Sequence, residues 1–113
     1  MSFFDSEIVR KEANEISFLQ QDIIKRMPRI PLMELDERIQ FFDDMIDLID
    51  RQKIFYSRLS LSDDPMAQDL KEQFKQAATM LGMPTGHMNM MDIYEDFKKS
   101  MTTVRQQVLD GTL

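Results

Sequence analysis

Apolar residues recur at steps of three and four along almost the whole of this chain, and that spacing confines it to a helical fold. Within 5–27 they fall at Val9, Ala13, Ile16, Leu19, Ile23 and Met27, which is one side of a helix with 3.6 residues per turn. A strand would need apolar and polar residues in alternation, and that signal is nearly absent. Asp5 or Ser6 can cap this first helix, Glu7 with Lys11 and Asp22 with Arg26 are favourable pairs one turn apart, and Pro28 marks its stop.

Arg29, Ile30 and Pro31 then read as a short stiff connection, because proline cannot continue a helix and biases its predecessor toward extended backbone. The spacing predicts a second helix over 33–59 with two adjacent apolar stripes. One holds Ile39, Phe42, Ile46, Ile49 and Tyr56, and the other Phe41, Met45, Leu48, Phe55 and Leu59. A face that wide normally touches two or more neighbours, so this helix is expected at the centre of the fold. Its polar strip is Glu37, Gln40, Asp43, Asp44, Asp47, Asp50 and Arg51.

The run from Ser60 to Pro65 stops one helix and starts another: Asp64 can accept from orphan N–H groups, and proline suits a first helical position. Helix three continues to Leu81 through Met66, Leu70, Phe74 and Ala77, with Gly82 as its C-terminal cap. Residues 83–88, with Pro84 and Gly86, read as loop. Asn89 caps a fourth helix that ends near Leu109, before Gly111. Along it Met90, Tyr94, Phe97, Met101, Val104 and Val108 form a narrow heptad-like seam. Short connections between long helices favour antiparallel neighbours, so the expected fold is all-α, a hairpin or bundle of about four helices in one domain over 1–113.

Composition narrows the function classes. The chain has no Cys, which removes disulfides, iron–sulfur clusters and thiolate zinc sites. Its opening residues lack the cationic start and apolar run of a secretory signal, and no window nears the roughly 20 apolar residues of a membrane span, so a soluble cytoplasmic protein is expected. The net charge of −6 is concentrated in 31–64, where nine acids face four bases. That balance disfavours direct binding of nucleic acid or anionic membrane.

The acidic row Asp43, Asp44, Asp47 and Asp50 invites a metal reading, since carboxylates one turn apart can chelate a cation. A di-iron bundle needs Glu-x-x-His pairs, which this chain lacks, and the calcium-loop pattern is missing too. A solvated face is the leading reading of the row. His87 is the only imidazole, in a loop without a nearby nucleophile, so it reads as a loop residue before a catalyst. No nucleophile elbow and no Gly-rich phosphate loop is found. No cofactor, metal ligand or catalytic residue is assigned, and the chain is not expected to be an enzyme.

Methionine is the most informative feature. Of 11 in the chain, Met80, Met83, Met88, Met90 and Met91 fall within twelve residues. Flexible, polarizable thioethers suit surfaces that accommodate a partner, and they also fill irregular cores. The candidate partner-binding residues are therefore Met83, His87, Met88, Met90, Met91 and Tyr94. The seam of helix four looks too long for the shorter helix three to cover, which favours a homodimer.

Three strings carry a family likeness: FFDSEIVRKEA at 3–13, IDRQKIFYSRLSLSDDPMAQ at 49–68 and MLGM at 80–83. They resemble the small cyanobacterial family of unknown function DUF1825, which also occurs in phages of those bacteria. The resemblance implies an intracellular helical protein and brings no catalytic residues with it. The resulting expectation is an adaptor or regulator that binds a host protein through the Met-rich segment. Two alternatives stand beside it: a small metal-binding protein or enzyme using the helix-two acids with His87, and an acidic decoy of a nucleic-acid-binding surface.

Overall fold

The computed structural model describes residues 6–80, 82 and 89–112. Four α-helices, α1 (Glu7–Arg26), α2 (Leu35–Ser60), α3 (Pro65–Met80) and α4 (Met90–Leu109), make an all-α fold with no strand among the described residues. Local chemistry places their ends. The Ser6 hydroxyl accepts from the Val9 N–H, the Asp64 carboxylate from the Met66 N–H at 2.9 Å, and the Asn89 amide oxygen from the Met91 N–H at 2.7 Å. Gly82 and Gly111 both take positive φ, +85° and +73°. At Gly111 the bonds from its N–H to the Val108 carbonyl and from the Thr112 N–H to the Gln107 carbonyl complete a Schellman stop.

The connection after α1 differs from the expected extended link. Residues Met27–Leu32 form a 3-10 helix that follows α1 directly. Pro28 occupies one of its first two positions, where a missing N–H costs nothing. The Arg38 guanidinium, reaching back from α2, donates to the Ile30 and Pro31 carbonyls at 3.3 and 3.4 Å.

Helix α2 is the hub. Ion pairs of α1 with α2 join Glu12 to Arg58, Glu15 to Arg51 and Arg26 to Asp44; those of α4 with α2 join Glu95 to Lys53, Lys98 to Asp50 and Arg105 to Asp43. Both series descend along α2, so α1 and α4 run antiparallel to it. Helix α3 does the same, with the Phe55 and Phe74 rings 5.5 Å apart and Lys71 over the Tyr56 ring.

Three neighbours bury Phe41, Phe42, Met45, Leu48, Ile49, Gln52, Phe55 and Leu59 of α2. Each of the apolar side chains among them contributes about 1.5–3 kcal/mol by leaving water. One stripe of α2 stays exposed, Asp36, Gln40, Asp43, Asp47, Arg51, Ile54 and Arg58. The seam of α4 lies on α2: Met90, Ile93, Tyr94 and Val108 are buried, and Phe97, Met101 and Val104 pack against the core. The seam that the sequence seemed to leave for a second chain is thus covered by the long hub, not by α3. The result is an elongated molecule of 50 × 30 × 18 Å.

Candidate functional site

Helices α3 and α4 both lie on α2, and between them is a cleft of about 670 Å³ over the C-terminal end of α2. The half-buried Tyr56 and the exposed Ser60, one helical turn apart, come from α2, and the Ser60 hydroxyl donates to the Tyr56 carbonyl at 3.1 Å. Gln68, Lys71, Glu72 and Lys75 line the α3 wall, and Asn89, Met90 and Met91 the start of α4. The Lys71 ammonium lies 5.9 Å from the centre of the Tyr56 ring, within cation–π range.

A second tyrosine supports the first. The Tyr94 ring meets Tyr56 edge-on, with centroids 6.1 Å apart, and its hydroxyl is buried with no hydrogen-bond partner among the described residues. Burial holds the Tyr94 phenol well above its ordinary range, with Tyr56 adding to the shift; burial and the Glu72 carboxylate raise Tyr56 as well. Both phenols are therefore neutral at physiological pH.

Of the residues the sequence nominated for partner contact, Met83, His87 and Met88 lie outside the described residues. Met90 and Tyr94 are core residues, 7% and 0% exposed, because the α4 seam turns them toward α2. Met91, partly exposed, lines the cleft directly. Sequence reasoning missed Tyr56, Ser60, Gln68, Lys71, Glu72 and Lys75. Lys71 and Lys75 stand one turn apart on α3, but only the placement of α4 brings them to Met91.

The acidic row is solvent-facing, as the sequence suggested, with Asp43 and Asp47 exposed, and it is also paired. Asp43 pairs with Arg105, Asp44 with Arg26 at 2.8 Å, Asp47 with Arg51 at 3.0 Å, and Asp50 with Lys98 at 2.9 Å. Three of these four carboxylates tie α2 to α1 or α4, so the row is a set of ion pairs and not a free acidic face. Lys53 lowers the Glu95 pKa from its usual carboxylate value, and Asp50 raises that of Lys98. Among the described residues, no three His, Asp or Glu side chains are grouped to hold a metal, and no helix is long and apolar enough to cross a membrane.

No curated protein and no solved structure matches the chain. The family model for the domain of unknown function DUF1825 matches residues 1–108. It takes in the 3-10 connection and nearly all of α4 along with the three strings that first suggested the likeness, and the chain therefore belongs to that family.

Proposed function

We propose that the chain is a non-enzymatic interaction module, an adaptor or regulator that holds another protein in the cleft between α3 and α4. The observation that carries this reading is the make-up of that cleft. An aromatic face, a thioether and two lysines on three separate helices converge on one open concavity. Aromatic and Met anchors with a polar rim are what protein interfaces use, since the apolar groups supply affinity while the rim fixes register. The carboxylates of α2 support the reading from the other side: already engaged in ion pairs with basic side chains of this chain, they are less suited to hold a cation or a basic partner.

A photo-crosslinking residue placed at Met91, with a second copy at Gln40 as control, tests the site in lysate of the natural host. A single adduct from position 91, absent from position 40 and lost when Lys71→Glu and Lys75→Glu are added, is expected. No adduct at position 91, or one indifferent to the charge reversals, would refute the assignment. Apolar docking should also survive salt that abolishes a purely ionic complex.

A further inference from the structure

We propose that the outer face of α1 pairs with the same face of a second copy of this chain, antiparallel about a two-fold axis near Ile16. The starting observation is Phe18, a large aromatic residue in the middle of α1 that is 77% exposed. It borders a depression of about 820 Å³ with Arg10, Lys11, Asn14, Leu19 and Arg51. The side of α1 away from the hub carries Glu7, Lys11, Asn14, Phe18, Gln21 and Lys25, all exposed and spaced by fours and threes. Phe18 is the one apolar residue of this row, with charged or amide side chains on either side of it.

The row is complementary to itself. Turned about Ile16, Glu7 faces the second copy's Lys25, Lys11 faces its Gln21, and Asn14 faces its Phe18. Each relation occurs twice by symmetry, as a two-fold interface requires. The two Phe18 rings then stand about 6 Å apart along the helix axis, at 1.5 Å per residue and two residues either side of the axis, which suits an aromatic pair. The Phe18 pair at the centre is thus flanked by opposite charges at both ends, as a small aromatic anchor with a polar rim. A second copy is the occupant that this symmetry selects.

Two helices of this length bury less than the roughly 1,200 Å² of a standard interface, so the dimer is weak and concentration-dependent. This face shares no residue with the cleft between α3 and α4, so its test and the crosslinking test fail independently.

Sedimentation equilibrium from about 10 µM to about 1 mM reads the association. The mass of the wild-type chain is expected to rise from 13.4 kDa toward twice that value. Phe18→Ser should remain monomeric, with far-UV circular dichroism unchanged because the side chain is exposed. Glu7→Lys and Lys25→Glu should each be monomeric alone and dimerise when mixed, since only the mixture restores both charge pairs. A wild-type chain monomeric throughout, a dimer untouched by Phe18→Ser, or no recovery on mixing overturns the proposal.

Discussion

Replacing Tyr94 by Phe should stabilise the protein. Tyr94 is fully buried, and its hydroxyl has no partner among the described residues. An unmet buried polar group costs about 1–3 kcal/mol. The Phe ring keeps the edge-on contact with Tyr56 and the packing against α2, so the variant sheds that cost and loses little else. Taking the low end, the gain is about 1 kcal/mol, or roughly 4 °C in Tm for a chain of this size. Thermal melts and urea titrations, with the urea slope unchanged, measure it. Alkaline titration gives a second readout. With the phenol pKa raised in the folded state, the unfolded chain ionises first, so wild-type stability falls as pH climbs above the ordinary value of 10.0. Tyr94→Phe should lose part of that decline. A variant less stable than wild type by about 1 kcal/mol or more would mean that the hydroxyl is satisfied in the native molecule, and the reasoning would fall.

Other consequences follow from single features. Leu48→Ala, at a fully buried hub position, should cost about 3 kcal/mol in urea unfolding, whereas Leu61→Ala, 87% exposed, should change stability by less than about 0.5 kcal/mol. Gly111→Ala should cost about 1 kcal/mol, because φ is +73° with nothing within 4 Å to clash, and Gly111→Asn should recover part of it in the same melts. The Glu95 carboxylate, lowered by Lys53, contributes stability above its ordinary value of 4.5 that is lost as pH falls through the folded value; Lys53→Met should flatten that part of an acid titration of Tm. The Lys98 ammonium, raised by Asp50, contributes below its ordinary value of 10.5 and loses that contribution as pH rises through the folded value, so Asp50→Asn should remove it.

Helix positions were legible because their signals are local. Ser6, Asp64 and Asn89 cap backbone groups two or three residues away, and Gly111 stops α4 through bonds to the turn before it. The width of the apolar face of α2 likewise announced a central helix, since that pattern too lies within one element. The 3-10 turn at Met27–Leu32 was missed: its carbonyls are held by Arg38, on the next helix. Both Met90 and Met91 border the cleft, but their one-residue offset on α4 buries Met90 against the hub and leaves Met91 partly exposed.

The amino-acid order by itself determined the class of fold, the number of α-helices and nearly all their ends, because hydrophobic periodicity and capping act within a few residues. Only the tertiary structure decided what each helix faces. The acids of α2 are a solvated row, but only the fold shows that Arg26, Lys98 and Arg105 reach them from helices remote in sequence. Lys71 and Lys75 mean nothing for Met91 until two helices dock on a third. Ion-pair register and side-chain packing between elements are properties of pairs far apart along the chain, and no single segment records them.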